Sequence, residues 1–301
     1  MKKENDLLEE TLSVAERGYP EAYQFLLAEY EKNPQGYGPQ TLYFLACLAG
    51  GAHLPEEALK WLEKAIAEKG WWYRPEVLED DDLSALEDSP LFPYLKSLSD
   101  QRYADAVAKG RAVFSWKGKT ADNLFVALHG NTQNAQTARS DWETMLPEDE
   151  GWQLETIQSA EPDGYSTFRW SYDRKSCLPV AEALETVGKE GYRRIVCGGF
   201  SAGCDALLRA VTFTPVHCDV LALQSPWIPV LQDYEDEILK AIREKNIRLK
   251  VFCGAEDEDC LPMANRLFEA AKREGIPAEL TIQKNCRHQF PEEPSALTDL
   301  L

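Results

Sequence analysis

The chain has 301 residues, of which 44% are hydrophobic and 28% are charged. This balance is typical of a folded globular protein with one large domain or two of ordinary size, and it excludes a mainly disordered or fibrous chain. Lys and Arg number 32 against 51 Asp and Glu, which gives a net charge of -19. Because such a surface repels a phosphate backbone, we expect no nucleic-acid partner.

The sequence also lacks the patterns of membrane and exported proteins. No apolar run approaches the roughly 18 residues that a membrane helix needs, and the first residues, MKKENDLLEETL, contain no hydrophobic signal segment. The eight cysteines form no C-x-x-C pair, which favours reduced and buried thiols over a disulfide framework. We therefore expect a cytoplasmic protein that does not bind membranes.

The N-terminal part, residues 1–105, is predicted to be α-helical. Apolar residues recur at helical spacing over residues 7–15 and 22–30. Two further amphipathic helices are predicted within residues 39–70. Their spacing resembles a tetratricopeptide repeat, in which two helices pack closely through small side chains such as Ala46.

The role of this helical region has two interpretations. The stretch at residues 75–98 is predicted to be a short cap, so the region has too few repeats for a free-standing solenoid. One hypothesis is a surface, within residues 1–100, that binds a protein partner or a second copy of the chain. The other is a structural appendage that covers part of the remaining domain.

The C-terminal part, residues 106–301, is predicted to be an α/β domain. Seven apolar segments have the length of strands: 111–116, 123–129, 152–158, 193–199, 219–225, 247–254 and 278–283. Helical patterns lie between them at 174–189, 202–213, 233–245 and 262–274. This alternation favours a mostly parallel sheet with helices on both faces, which binds ligands at the carboxyl ends of its strands.

The segment GGFSAG, residues 198–203, has the form G-x-S-x-G and lies between a predicted strand and a predicted helix. Glycines two residues before and two after Ser201 permit a sharp strand-to-helix turn that raises the hydroxyl above the sheet. Because the flanking segments fit this geometry, we predict that Ser201 is a nucleophile rather than a helix N-cap.

A serine nucleophile needs a base, and histidine is the usual one because its pKa lies near neutrality. Of the four histidines, His53 lies in the helical region and His217 precedes a strand at its amino end. His129 ends a predicted strand and is interpreted as structural. His288 follows the last strand on the carboxyl side, and we predict that it is the base.

An acid that orients the imidazole is expected after the strand that ends at Gly254. Four acids in a row, residues 256–259, follow this glycine. Asp257 has the better spacing for a carboxylate that turns back over the sheet, and Asp259 is the alternative. The order along the chain is then nucleophile, acid and base.

Residues 108–301 resemble the α/β-hydrolase superfamily, in its branch of small esterases, dienelactone hydrolases and acyl-thioesterases. The resemblance lies in the motifs VALHGN, GGFSAG, CGAEDEDC and RHQF. It implies acyl transfer to Ser201, a tetrahedral intermediate, and hydrolysis in which His288 acts first as base and then as acid. It also implies an oxyanion hole formed by the backbone N–H groups of Ala202 and Asn131.

Aromatic residues near the expected active face are candidates for the walls of a substrate pocket. They are Phe200, Tyr165, Trp170 and Tyr172, and Asn134, Trp142 and Met145 are candidates for a further wall. Aromatic side chains of such loops are as often packing residues, so both roles stay open. The sequence contains no metal-ligand cluster, phosphate-binding loop or dinucleotide fingerprint, and we expect no cofactor and no metal.

These features predict a serine hydrolase that cleaves small-molecule carboxylic esters or thioesters. A peptidase on the same fold is one alternative, because the three residues alone do not choose between ester and amide. A non-catalytic helical-repeat adaptor with a degenerate hydrolase domain is the other. The occurrence of nucleophile, acid and base in one order argues against the adaptor.

Overall fold

The computed structural model describes residues 4–146 and 151–291. The chain divides into two compact units, of which the first is Met1–Gly110 with Pro162–Ser166 and the second is Arg111–Glu161 with Thr167–Leu301. The boundary expected from the sequence, at residue 105, lies inside a helix that continues to Lys109. The first unit therefore extends to the end of that helix and takes up a short segment from later in the chain.

The first unit is built of α-helices. Their bounds are α1 (Glu4–Ala15), α2 (Tyr19–Lys32), α3 (Pro39–Gly51), α4 (Pro55–Glu63) and α5 (Leu91–Lys109). A proline stands in the first turn of α2, α3 and α4, where its missing N–H leaves no intrahelical bond unmade. The stretch at 75–98, expected to be a short cap, instead forms two 3-10 turns and the start of α5, a helix of 19 residues.

Buried leucines hold these helices together. Leu7, Leu26, Leu42 and Leu62 are fully buried and belong to one hydrophobic cluster. At the amino end of α3, the Glu4 carboxylate accepts hydrogen bonds from Gly38 N at 2.8 Å and Thr41 N at 3.1 Å. Glu4, the first residue of α1, thus accepts hydrogen bonds from backbone N–H groups that have no partner within α3.

The segment Pro162–Ser166 belongs to the first unit through specific bonds. Arg74 N donates to Asp163 O at 3.2 Å, and Tyr165 N donates to Trp72 O at 2.9 Å. The Arg74 guanidinium also pairs with the Asp163 carboxylate, with Nε and Oδ1 2.8 Å apart. Backbone and side-chain contacts together hold this segment against the end of the helical unit.

The second unit contains a seven-stranded sheet in the order β1-β3-β2-β6-β7-β8-β9. The strands of the whole chain, numbered in order, are β1 (Val113–Phe114), β2 (Asn123–Leu128), β3 (Trp152–Gln158), β4 (Glu161–Gly164), β5 (Thr167–Arg169), β6 (Arg194–Phe200), β7 (Val220–Gln224), β8 (Arg248–Gly254) and β9 (Ala278–Gln283). Most of β4 belongs to the first unit. All neighbours in the large sheet are parallel except β1 and β3. Strands β4 and β5 form a separate two-stranded sheet.

Helices cover the two faces of the large sheet. They are α6 (Ala135–Glu143), α7 (Leu178–Val187), α8 (Ala202–Phe213), α9 (Val230–Glu244) and α10 (Leu261–Arg273). Every residue of β2 and β7 is buried, as expected for central strands with helices on both sides. Along β2, Leu124 and Val126 pack into one core cluster while Phe125 and Ala127 pack into the other.

The predicted fold class is confirmed, namely a mostly parallel sheet with helices that follows an all-helical region. Each of the seven predicted strands is present, although the first is reduced to two residues. The sequence did not predict α6 or the β4–β5 pair. Within residues 4–146 and 151–291, no helix has both the length and the apolar character to cross a membrane.

Candidate active site

Ser201 lies in the turn between β6 and α8, in a backbone conformation that is rare for residues other than glycine. Its φ is 51° and its ψ is -122°. The turn brings backbones so close that a Cβ on Gly199 would stand 2.8 Å from Cys204 N, and one on Gly203 would stand 2.6 Å from His129 O. Both glycines of the motif are therefore required by close backbone approach.

The structure brings together Ser201, His288 and Asp257 in one chain of hydrogen bonds. His288 Nε2 lies 2.9 Å from Ser201 Oγ, and His288 Nδ1 lies 2.9 Å from Asp257 Oδ2. Both distances are normal for a hydrogen bond. The arrangement can move the hydroxyl proton of Ser201 to the imidazole while the carboxylate holds the ring in place.

Burial distinguishes Asp257 from its acidic neighbours. Asp257 is 3% exposed, whereas Glu256, Glu258 and Asp259 are exposed to solvent. Asp257 Oδ1 also accepts a hydrogen bond from Cys260 N at 3.1 Å. Of the two acids considered from the sequence, only Asp257 contacts His288 among the bonds that the described residues make.

The charge state of Asp257 follows from these contacts. Burial alone would raise the pKa of this carboxyl, but the hydrogen bond and charge of His288, with the N–H of Cys260, outweigh burial and lower the pKa below its ordinary value. The carboxylate is therefore ionised at neutral pH and accepts the Nδ1 proton of His288.

His129 is a buried, neutral residue of the loop after β2. Its Nε2 accepts a hydrogen bond from Ser159 N at 3.2 Å, so Nδ1 carries the proton and donates to Gly130 O at 2.7 Å. Complete burial lowers the pKa of His129 to about 4. Gln133 Oε1 accepts a bond from Gly130 N at 2.9 Å, and together these side chains fix the loop.

Asn131 and Ala202, the expected backbone donors, lie on two segments that approach each other closely. Ala202 opens α8, whose first turn packs against the carbonyl of His129 at Gly203. The Asn131 side chain accepts a bond from Trp170 N at 2.8 Å and donates to the hydroxyl of Tyr172 at 3.1 Å. The side chain of Asn131 thus anchors its own backbone, and the role of its N–H stays a prediction.

The four pocket candidates lie in different surroundings. Phe200 is 3% exposed, with its ring centroid 5.0 Å from that of His288. Trp170 is buried and donates from Nε1 to His129 O at 2.8 Å, which corresponds to the packing role that the sequence left open. Tyr172 is 44% exposed. Tyr165 belongs to the first unit, where it stacks on Trp71 with 6.1 Å between ring centroids.

Trp142 and Met145, the further wall considered from the sequence, are both completely buried. Trp142 packs in the core against Phe125, with 5.0 Å between ring centroids. Trp142 also makes an edge-to-face contact with Phe290, with 5.1 Å between ring centroids. Phe290 in turn lies 5.2 Å from Phe200, so these rings form an apolar layer beside His288.

Asp257, Cys260 and His288 present possible metal-ligand atoms within 4.8 Å of one another. Cys260 Sγ lies 3.5 Å from His288 Nδ1, the atom that also contacts Asp257 Oδ2. A metal ion bound here would replace the proton that joins the histidine to the acid. The group therefore coincides with the Ser201 arrangement and is not a separate centre.

Several residues around this site were not identified from the sequence. Gln133 fixes the loop after β2, Cys260 contacts His288, and Phe290 extends the apolar layer. Their contacts join segments far apart in the chain, and no spacing pattern marks such contacts. Two of them had a signal, since Cys260 ends the CGAEDEDC motif and Phe290 ends the RHQF motif.

Comparisons with known proteins agree with this architecture. Residues 3–107 match a family model described as the N-terminal domain of A/B hydrolase-like proteins. An uncharacterized protein from Bacillus cereus ATCC 10987 has a similar solved structure, with 28% identity and a TM-score of 0.53, over 96% of this chain and 94% of that one. The comparison with curated proteins gives no match.

Two solved esterase structures are more distant. Acyl-protein thioesterase 2 of Zea mays is 21% identical with a TM-score of 0.46, over 61% of this chain and 94% of its own. A thermophilic esterase of Thermogutta terrifontis is 15% identical with a TM-score of 0.40, over 60% and 79%. Such values carry no conclusion about activity. The chain has an A/B hydrolase-like fold with an N-terminal helical domain.

Proposed function

We propose that this protein is a serine hydrolase that cleaves small-molecule carboxylic esters or thioesters through an acyl-enzyme on Ser201. The observation that carries the proposal is the hydrogen-bond chain from Ser201 Oγ through His288 to Asp257, with both distances 2.9 Å. Asp257 is buried whereas its three acidic neighbours in residues 256–259 are exposed, which supports Asp257 as the acid. A non-catalytic adaptor has no need of these two hydrogen bonds.

In the acylation step, His288 Nε2 takes the proton of Ser201 while Oγ attacks the carbonyl carbon of the substrate. Asp257 accepts the Nδ1 proton in a hydrogen bond and stabilises the imidazolium that forms. The tetrahedral oxyanion accepts hydrogen bonds from the backbone N–H groups of Ala202 and Asn131. Each donor of this kind lowers the barrier by about 3 to 4 kcal/mol.

Collapse of the intermediate releases the alcohol or thiol, which takes its proton from His288. Water then enters, His288 removes one of its protons, and the resulting hydroxide attacks the acyl carbon. Ser201 leaves with the proton held by His288, and the carboxylic acid is released. All steps use the same histidine nitrogen, so the proposal needs no second base.

Substrate preference is proposed from the surroundings of His288. The ring of Phe200 lies beside the imidazole and packs against Phe290, which favours an apolar acyl or leaving group. The choice of ester or thioester over amide comes from the sequence resemblance. Amide hydrolysis by the same three residues is the alternative that a substrate panel tests.

The panel consists of p-nitrophenyl esters from acetate to octanoate, an acyl thioester and an aminoacyl p-nitroanilide. We expect turnover of the esters or the thioester, and a loss of at least about 10³-fold in kcat for Ser201→Ala. Ser176→Ala is the control, because it removes the same hydroxyl group from a buried serine, 3% exposed, whose Oγ donates to Asp173 O within its own turn. Turnover of the amide alone, or full activity of Ser201→Ala, would contradict the proposal.

A further inference from the structure

Gln224 is the last residue of β7 and touches the backbone of the proposed nucleophile. It is completely buried and pairs in register with Phe200 of the neighbouring β6. Its carbonyl oxygen accepts a hydrogen bond from Ser201 N at 3.0 Å. This bond fixes the start of the strained turn that carries Ser201 Oγ.

The side chain of Gln224 reaches in the other direction, toward the loop of His288. It forms a reciprocal amide pair with Gln283 at the end of β9, with N···O distances of 2.8 Å and 3.0 Å. Gln224 Nε2 also donates to Gln289 O at 3.1 Å. Gln289 directly follows His288, so one amide group holds the backbone next to the proposed base.

The next residue, Ser225, is bonded to β8, the strand that leads to Asp257. Ser225 is buried and has a φ of 45°, a left-handed conformation that residues other than glycine rarely adopt. Its backbone N donates to Phe252 O of β8 at 2.7 Å. The Ser225 side chain also helps to lower the pKa of Asp257, and Ser225 Oγ accepts a hydrogen bond from Gln224 Nε2 at 3.3 Å.

We propose that Gln224 and Ser225 form a positioning dipeptide that sets the distance between Ser201, His288 and Asp257. The inference rests on the proposed function, since it explains how that site is held. The three reacting residues lie on different loops, and this dipeptide is bonded to the segment of each. Loss of the Gln224 amide frees the backbone beside His288, which slows the chemical step, whereas Phe200 on β6 stays in place and substrate binding changes less.

The test measures kcat and KM for the best ester with the full chain. Gln224→Met removes the amide, and we expect kcat to fall by about 10²-fold with KM changed less than about twofold. The double variant Gln224→Met with Gln283→Met leaves no buried amide without a partner, so it keeps the fold if the single variant does not. It is expected to show the same loss of kcat.

Gln153→Met is the matched control. Gln153 is also a buried sheet glutamine, at 7% exposure, and it bonds to Thr120 N and Gly118 O. It lies near the amino end of β3, opposite the carboxyl ends that carry the site, so kcat should stay within about twofold.

A folded double variant with the kcat of the wild type would overturn the positioning role alone. A wild type that turns over no ester or thioester would overturn the proposed function and this inference with it. A loss of kcat in Gln153→Met equal to that of Gln224→Met would show general destabilisation and would also overturn the positioning role.

Discussion

The four acids at residues 256–259 show how position within one short loop changes the chemistry of a carboxyl group. Asp257 is buried and bonded to His288, whereas Asp259 is exposed. We expect Asp257→Asn to lower kcat by about 10³- to 10⁴-fold, because the amide cannot hold the imidazole in the required tautomer. Asp259→Asn should leave kcat within about twofold. Measurement of kcat for both variants checks the assignment. A large loss in Asp259→Asn with little loss in Asp257→Asn would show that Asp259 is the acid that orients His288.

His129 predicts a pH dependence of stability. Its pKa falls from 6.5 to about 4 on burial, so between these values the unfolded chain binds a proton that the folded chain does not. Stability is thus lost as pH falls from 6.5 toward 4, by about 3 kcal/mol in total, and the loss levels off below pH 4.

The measurement is urea unfolding of the wild type and His129→Gln at several pH values. Glutamine does not titrate, so the stability difference between the two proteins should shrink as pH falls through this window. A difference that stays constant with pH would contradict a neutral, buried His129.

Single residues could be predicted where they belong to a motif or where the chain contains few residues of the required type. Ser201 came from G-x-S-x-G, and His288 came from comparison of four histidines. The contacts of Gln224 with Gln283 and Gln289 were not predictable, because they depend on which strand ends become neighbours. The packing role of Trp170 likewise depends on a backbone carbonyl 41 residues away in the chain.

The turn from β6 into α8 predicts the result of a small substitution. A Cβ at Gly203 would lie 2.6 Å from His129 O, so Gly203→Ala must push α8 and the loop after β2 apart. We expect a loss of about 1 to 3 kcal/mol in the free energy of unfolding, together with lower kcat. Urea unfolding and ester turnover measure the two effects.

Gly188→Ala is the control for this substitution. Gly188 ends α7 in a helical conformation, and its added Cβ would lie 3.1 Å from Leu184 O. We expect a change of less than about 1 kcal/mol. An equal effect at both glycines would show that close approach at Gly203 is not the cause.

Elements were predictable where apolar periodicity was strong. Strand β3 and helix α8 have the bounds expected from the sequence. Helix α6, AQTARSDWE, was missed because it has few apolar residues, although the Asn134 side chain that caps Thr137 N is a usual start signal. Strands β4 and β5 are too short, at four and three residues, to give a periodic pattern.

At the scale of the whole molecule, a single boundary in the sequence separates the helical part from the α/β part, but it does not assign every segment to the correct unit. Residues 162–166 join the first unit through contacts with Arg74. Contacts between residues so far apart in the chain could not be predicted from the sequence pattern. We propose a two-domain organisation with this inserted segment. All eight cysteines are buried, as expected from the sequence.

The central claim is that Ser201 is activated for covalent chemistry by His288 and Asp257. Reaction of the folded full-length chain with a fluorophosphonate probe, followed by intact-mass and peptide analysis, tests this most directly. We predict one adduct, on Ser201, that is absent in Ser201→Ala and strongly slowed in His288→Ala. No labelling of the folded wild type, or labelling that persists at another residue in Ser201→Ala, would contradict it.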